Sequence, residues 1–412
     1  MDMTIFWAWA EFAARWTHVI TAIAWIGSSF YFIALDLGLR KAPDLAPGVS
    51  GEEWQVHGGG FYHVQKYLVA PDRLPEHLVW FKWESYSTWL SGVVMLVLVY
   101  YMGADLFLVD PAVLDIPIWL AIVISFASLS LGWLAYDALC KSRFGDDNTK
   151  LMVFLYLVLV VLAWGYTHVF SGRAAMLHLG AITATVMSAN VFFVIIPNQK
   201  IVVEDLKAGR VPDAKYGKIA KQRSTHNNYL TLPVLFLMLS NHYPLAFASE
   251  WNWVIASLVF LMGVTIRHYF NTLHASPWPK KGPLWTWGAT ALLFIAIVAL
   301  SMAPLYGEDE GWDEAVLTPH QQRYADAAGF EEAYDVVMTN CSMCHAPQPS
   351  WEGLGVPPKG VKLVTMSDVA RHAREIYLQA GVTHAMPPGV ANYMEAEDRA
   401  TLRRWYRGAL DG

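Results

Sequence analysis

The chain has 412 residues, of which 55% are hydrophobic and 16% charged, against about 25% charged in an average soluble protein. Residues 1–305 carry 20 Lys or Arg and 19 Asp or Glu, whereas residues 306–412 carry 9 and 16. The apolar first part excludes a single soluble globule and a disordered chain, and the acidic second part excludes binding to nucleic acid. Three cysteines are too few for a disulfide scaffold.

The first part contains eight apolar stretches. A helix that crosses the hydrocarbon core, about 30 Å thick, needs about 20 mostly apolar residues, and each stretch meets this requirement. The stretches begin near Ile5, Ser85, Ile116, Leu151, Ala174, Tyr229, Trp251 and Pro283. We therefore predict an all-α architecture in which residues 1–306 form a bundle of eight transmembrane helices in a lipid bilayer.

Basic residues in the connecting loops predict the orientation of the bundle, because short loops rich in Lys and Arg stay on the cytoplasmic side. Lys141 and Arg143 follow the third predicted span, and seven basic residues lie between positions 200 and 223, after the fifth. The loops after the second and sixth spans carry none. Both termini are therefore predicted to face outward, away from the cytoplasm. The longest polar connection, residues 41–78, shows no helical pattern and is predicted to be a loop.

The first predicted span holds Glu11, Arg15 and His18, which share one helix face because they are spaced by four and three residues. Ionisable side chains within a span mark functional sites by default. Two interpretations stay open. Glu11 and Arg15 form an ion pair that satisfies itself, or they contact a substrate or a haem propionate.

Several histidines also lie within or near the predicted spans. Facing imidazoles on different helices can hold a non-covalent haem b. The candidate ligands nearest the outer half of the bundle are His18, His168, His178 and His242. Spacing selects no pair among them, because the partners lie on separate helices, and a structural role for each histidine stays an alternative.

The acidic part contains the sequence CSMCH, in which Cys341, Cys344 and His345 have the spacing of a covalent haem c site. The two thiols reach the two vinyl groups of the porphyrin, and the histidine binds the iron. Met386, followed by two prolines, is the predicted second axial ligand, and this ligand pair is typical of an electron carrier. Met394 is an alternative ligand, and so is His384.

The pattern around this motif resembles a class I cytochrome c over residues 315–412. It predicts helices at 329–338 and 395–410, and a third from an N-cap at Ser367 to about residue 379. Covalent haem attachment in bacteria takes place on the periplasmic side, in agreement with the orientation from the loop charges. We therefore predict a multi-pass protein of the bacterial inner membrane with both termini in the periplasm. The acidic surface suits a downstream electron acceptor with a basic face, such as a soluble cytochrome c or a terminal oxidase.

The whole chain resembles the membrane-bound urate oxidase (urate hydroxylase) family of bacteria, whose members have an eight-span domain and a C-terminal cytochrome c. The segments that carry the resemblance are residues 80–89 (WFKWESYSTW), residues 173–199 (RAAMLHLGAITATVMSANVFFVIIPNQ) and the CSMCH motif. The resemblance implies oxidation of urate to 5-hydroxyisourate, with water as the source of the hydroxyl oxygen. Electrons then pass to haem c and the respiratory chain, without peroxide. Residues 16–31 are faintly similar to haem-binding membrane protoporphyrinogen oxidases, and this similarity nominates His18 as a haem ligand.

Two positions for urate stay open on the sequence. Glu11 and Arg15 offer a charge pair near the predicted outer face, and Lys82 and Glu84 offer one among the aromatic residues of segment 80–89 near the inner face. Urate arises in the cytoplasm, and the hydrocarbon core is too thick for one electron-transfer step to a periplasmic haem. We therefore expect a haem b within the bundle.

Two other classes of protein stay possible on this sequence. One is a non-enzymatic, membrane-anchored cytochrome that relays electrons from quinol. The other is a transporter with a redox-sensing cytochrome, which the lack of Gly- or Pro-interrupted paired half-helices disfavours.

Overall fold

The computed structural model describes residues 3–71, 73–302, 316–352, 354, 356–388 and 393–411. The chain is mostly helical. Its α-helices are α1 (Met3–Gly38), α2 (Trp83–Met95), α3 (Ala104–Phe107), α4 (Ile118–Lys141), α5 (Asn148–Thr167), α6 (Gly172–Ala189), α7 (Ile196–Lys207), α8 (Ala214–Ser240), α9 (Pro244–Phe247), α10 (Asn252–Ala275), α11 (Trp285–Met302), α12 (Pro319–Ala325), α13 (Phe330–His345), α14 (Met366–Arg371), α15 (Ala373–Ile376) and α16 (Ala396–Asp411). Wider, π-helical turns follow α2, α6 and α15 at Leu96–Tyr101, Asn190–Ile195 and Tyr377–Val382.

Several helices suit a membrane, which confirms the prediction of apolar helices in a mostly helical fold. Within the described ranges, six helices are long and apolar enough to cross a bilayer, by length and composition. They are Met3–Gly38, Ile118–Lys141, Asn148–Thr167, Gly172–Lys207, Asn252–Ala275 and Trp285–Met302. The second and sixth predicted spans correspond to the helical segment 83–101 and to α8, which are not among the six. The count of eight spans therefore stays a prediction.

Helix α6 lies at the centre of the bundle, where it packs against α4, α5 and α8. Most of its side chains are buried. Small residues allow its neighbours to approach closely, since a Cβ atom added to Gly180 would lie 3.0 Å from the Cβ atom of Leu237 on α8. The polar groups on α6 are therefore held within a tightly packed interior.

A glycine on α10 permits a similar close approach, and its replacement is expected to destabilise the bundle. A Cβ atom added to Gly263 would lie 2.5 Å from the Cδ atom of Pro233 on α8. We expect Gly263→Ala to lower the free energy of unfolding by about 1–3 kcal/mol, because the two helices must move apart. The matched control is Gly165→Ala on α5, where an added Cβ atom meets nothing within 4 Å. The unfolding midpoint in one detergent should fall for the first variant and not for the second, and equal midpoints would contradict the close crossing.

The connection at residues 41–78 contains an antiparallel β-hairpin, so the strictly all-α prediction is wrong here. Its strands are β1 (Val49–His57) and β2 (Gly60–Tyr67), joined at Gly58 and Gly59, whose φ angles are 60° and 80°. Only glycine adopts such angles at no steric cost, which explains the tight turn. Backbone pairing between Arg40 and Glu52 joins the hairpin to the chain that leaves α1. Two short strands of this kind are stabilised by pairing with each other. A search for helical patterns within one segment does not detect such pairing.

The described residues between 316 and 411, here the C-terminal unit, form a small helical core of their own. Helices α13 and α16 pack together. Trp405 of α16 is almost fully buried, and its indole N–H donates to the carbonyl of Tyr324 at 2.9 Å. Two predictions need correction. Helix α13 continues through the CSMCH motif to His345 instead of ending near residue 338, and the N-cap of α14 is Thr365, not Ser367. Thr365 is favoured because its hydroxyl accepts from the backbone N–H of Asp368, whose side chain completes a capping box.

Candidate functional site

A cavity of about 400 Å³ lies between α1, α2, α8 and the π-helical turn Asn190–Ile195. We call it the Glu84 cavity. Trp25, Trp80 and Phe81 supply aromatic walls, and Gln199 contributes a side-chain amide. Its volume suits a small molecule, and π-helical turns occur often at functional sites. The arrangement therefore offers aromatic faces and hydrogen-bonding groups around one cavity.

Two carboxylates line this cavity, those of Asp36 and Glu84, and Asp36 is paired with Lys66. Glu84 lies in the first turn of α2, and its Oε2 atom is buried without a hydrogen-bond partner among the described residues. Such an atom loses its hydration, so it marks a place where a partner of another kind is expected. Lys82, which we predicted beside it, does not line the cavity, and its ammonium group lies 6.0 Å from the ring centre of Trp83. The structure thus separates the two residues of the predicted charged pair.

Buried polar groups on α4, on α8 and at the start of the π-helical turn Asn190–Ile195 support one wall of the cavity. Asn227 lines it, and the side-chain oxygen of Asn227 accepts from the amide of Asn190 at 3.1 Å. Arg223 donates to Asn190 at 3.2 Å and to the carboxylate of Asp137 at 2.7 Å. Asn190, Arg223 and Asp137 are buried in the bundle. Their hydrogen bonds therefore fix the side-chain amide of Asn227.

Sequence reasoning did not select Arg223, Asp137, Asn190 or Asn227. The sequence pattern predicts Arg223 in a cytoplasmic loop, whereas it lies within α8 and is 2% exposed. A usable signal was present, since Ala220, Arg223 and Asn227 are spaced by three and four residues and share one helix face.

Glu11 and Arg15, the other charged residues predicted to act together, do not form an ion pair with each other. Glu11 accepts from Arg374 of the C-terminal unit at 2.7 Å, whereas Arg15 lies 3.3 Å from the Nε2 atom of His242. Both side chains are therefore used in contacts at the end of the bundle that faces the C-terminal unit.

The four histidines predicted as haem b ligands have separate partners. His178 is fully buried, and both of its ring nitrogens are engaged, with Ser125 Oγ at 2.7 Å and the carbonyl of Ala174 at 2.8 Å. The Nδ1 atom of His18 lies 3.1 Å from the carbonyl of Thr88. Iron binding at Nε2 of His178 would replace its hydrogen bond to Ser125.

The remaining two histidines also have other partners. His168 contacts the carbonyl of Trp164 at 2.8 Å, and His242 contacts Arg15. No hydrogen bond or ring contact joins any two of the four within the part of the chain that the structure describes. A haem b site made from them stays a prediction.

The CSMCH motif occupies the last turn of α13. Cys341, Cys344 and His345 lie three and four residues apart and therefore share one side of the helix, and neither cysteine forms a disulfide. Burial raises the pKa of the Cys341 thiol to about 12. The Nδ1 atom of His345 lies 2.8 Å from the carbonyl of Val361. An Nδ1–H donated to this carbonyl leaves Nε2 available for a metal, so these residues fit a covalent haem c.

Met386 lies in the loop before α16 and packs against the core of the C-terminal unit. Its backbone is fixed on both sides. The amide donates to the carbonyl of Gln379 at 2.9 Å, and the carbonyl accepts from Arg399 at 3.0 Å. The alternative ligands differ in position, since Met394 is buried in the core and His384 is exposed. Sequence reasoning did not select Arg399, which fixes this loop from α16.

Charged contacts attach the C-terminal unit to one end of the bundle. We call them the docking contacts. They are Arg374 with Glu11 at 2.7 Å, Arg371 with Asp110 at 3.4 Å, and His320 with Asp105 at 2.6 Å. In each pair the C-terminal unit supplies the basic group and the bundle supplies the carboxylate.

A carboxyl group beside these contacts is expected to make stability depend on pH. Burial raises the pKa of Glu375 to about 7, although Arg374 acts in the opposite direction. The carboxyl ionises at its ordinary, lower pKa in the unfolded chain, so the folded state loses stability as the pH rises towards 7. We expect Glu375→Gln to unfold at a higher temperature than the natural protein at pH 8, with little difference at pH 5. The exposed Glu397→Gln is the control, and equal behaviour of the two variants would contradict a buried, uncharged carboxyl.

Among the described residues, no group of three or more His, Cys, Asp or Glu side chains comes together as a metal site. The two candidate sites are the Glu84 cavity and the CSMCH motif with Met386. They belong to different parts of the chain.

Comparison with known families decides the class of the bundle. The model of the urate oxidase N-terminal family matches residues 4–301. The chain belongs to this family. Nothing matches among the curated proteins or the solved structures. Membership of this family indicates that the chain is an oxidoreductase and that its reaction is related to the oxidation of urate. The matched region contains the entire Glu84 cavity.

Proposed function

We propose that the chain oxidises urate to 5-hydroxyisourate in the Glu84 cavity and passes the electrons to a haem c in the C-terminal unit. The observation that carries this proposal is the buried, unpartnered carboxylate oxygen of Glu84 among aromatic rings and amides, within the part of the chain that matches the family. The acceptor beyond haem c is a soluble cytochrome c or a terminal oxidase of the respiratory chain.

The reaction determines what the cavity must do. Urate and one water give 5-hydroxyisourate, two protons and two electrons, so the site must remove protons while the electrons leave without reducing oxygen to peroxide. Glu84 is the group on the cavity that we assign to proton removal, as a general base. The rings of Trp25 and Trp80 offer faces for the purine, and the amides of Gln199 and Asn227 offer donors and acceptors for its ring nitrogens and oxygens.

Haem c fits the residues of the C-terminal unit. Cys341 and Cys344 would form the two thioether bonds, and His345 and Met386 would bind the iron. The hydrogen bond of His345 to Val361 orients the imidazole, and Arg399 holds the loop of Met386. Once bound, the haem accepts one electron at a time, so two transfers follow each oxidised urate.

The two sites are far apart. Glu11, which contacts the C-terminal unit, and Trp25, which lines the cavity, are 14 residues apart on α1. At about 1.5 Å per residue the separation along the helix is about 21 Å. We predict that a haem b within the bundle carries the electrons across this distance. A pyridine haemochrome spectrum with c-type haem alone would contradict it, and would favour a urate site at the Glu11 end.

The test is anaerobic addition of urate to the oxidised, purified protein, followed by the absorbance band of haem c. We expect urate to reduce the haem. Reduction by quinol but not by urate would support the non-enzymatic relay, and reduction by neither would support a redox-sensing transporter.

A further inference from the structure

One loop of the C-terminal unit contacts both the predicted iron ligand and the bundle. It comprises residues 357–363, here the His345 loop. On one side the carbonyl of Val361 lies 2.8 Å from Nδ1 of His345, and the amide of Leu363 donates to the carbonyl of His345 at 2.9 Å. This side therefore holds both the ring and the backbone of His345.

The other side of the His345 loop lies against the bundle. Arg173, in the first turn of α6, donates from Nη2 to the carbonyl of Lys359 at 3.2 Å. The guanidinium group of Arg173 lies 5.0 Å from the ring centre of Phe247 and 5.5 Å from that of Phe107. A Cβ atom added to Gly360 would lie 3.5 Å from Pro244. Arg173 is thus held between two rings while it contacts the loop.

The backbone between these two sides is strained. Lys359 has a φ angle of 56° and Gly360 one of 68°, so two consecutive residues adopt the left-handed conformation. A residue other than glycine seldom adopts it, and such a conformation persists where its surroundings hold it. The contacts to Arg173 and Pro244 on one side and to His345 on the other supply that restraint.

We propose that Arg173 of the bundle is a positioning residue for His345. It fixes Lys359, and thereby the carbonyl of Val361 two residues later, which accepts the Nδ1–H of His345. This inference rests on the proposed haem c. A hydrogen bond donated by the ring nitrogen that does not bind the metal raises the basicity of a metal-bound histidine. A more basic ligand favours ferric iron, so loss of the restraint favours reduced haem.

The test compares Arg173→Gln with Arg371→Gln in the full-length protein loaded with haem. Each variant removes one positive charge at the contact between the bundle and the C-terminal unit, but Arg371 pairs with Asp110 and not with the His345 loop. Loss of positive charge by itself favours oxidised haem. We expect Arg371→Gln to lower the ratio of reduced to oxidised haem at a fixed potential, or to leave it unchanged, and Arg173→Gln to raise it about threefold. Equal changes in the two variants would overturn the proposal.

A second variant changes the loop without changing any charge. Gly360→Ala adds a Cβ atom to a left-handed residue, and we expect it to raise the same ratio and to shift the electron paramagnetic resonance g values of the ferric haem. An unchanged ratio and unchanged g values with full haem content would overturn the role of the loop. Absence of c-type haem from the natural protein would overturn the proposed function as well. Urate-dependent reduction together with equal behaviour of Arg173→Gln and Arg371→Gln would overturn this inference alone.

Discussion

Replacement of Glu84 by glutamine is expected to slow urate-dependent reduction of haem c by about 100-fold or more. General bases contribute about 10²–10⁴-fold to rate, and glutamine keeps the size of the side chain while it cannot accept the proton. The measurement is the anaerobic rate of haem c reduction after urate is mixed with the oxidised protein. Reduction by dithionite should stay unchanged, because it bypasses the cavity.

Two neighbouring variants show whether this loss belongs to the cavity. Lys82→Gln changes a charge two residues away from Glu84, on a side chain that does not line the cavity, and we expect it to keep nearly full activity. Arg15→Gln tests the other end of the bundle. Full activity in Glu84→Gln together with a large loss in Arg15→Gln would contradict the Glu84 cavity and place urate near Glu11.

Replacement of both Cys341 and Cys344 by serine is expected to abolish covalent haem. The thioether bonds are the only attachment that survives denaturation and acidic acetone, so haem should be extracted from the variant and retained by the natural protein. Urate should then no longer produce a reduced c-type band. The measurement is the haem that remains with the protein after extraction, together with the pyridine haemochrome spectrum.

The third cysteine provides the matched control for this experiment. Cys140 is buried on α4 within the bundle, and Cys140→Ser should retain the full amount of covalent haem. Haem that resists extraction from the Cys341→Ser, Cys344→Ser double variant would contradict the assignment of the motif. Equal loss in Cys140→Ser would show that the loss reflects folding and not attachment.

Features that depend only on residues close together in the chain were predicted well from the sequence. The apolar stretches predicted helices long enough for a membrane, because hydropathy and length are properties of one segment. Strand pairing is different in kind. The hairpin at Val49–His57 and Gly60–Tyr67 was missed because its stability comes from contacts between two short strands.

The candidate sites show the same division. Lys82 and Glu84 are two residues apart in the chain, yet only Glu84 lines the cavity. The sequence pattern predicts Arg223 as a basic residue of a loop, whereas the folded chain places it against Asp137, which lies 86 residues earlier. Pairs of this kind are decided by which helices pack together.

The sequence by itself determined the apolar helices and the spacing of Cys341, Cys344 and His345 along the chain, because both are properties of one segment. The extension of α13 through the CSMCH motif is seen only in the folded chain. Only the tertiary structure decided that Glu11 contacts Arg374 and that Arg173 contacts the His345 loop. The physical reason is that these partners lie 363 and 186 residues apart, so their meeting depends on how the C-terminal unit packs against the bundle.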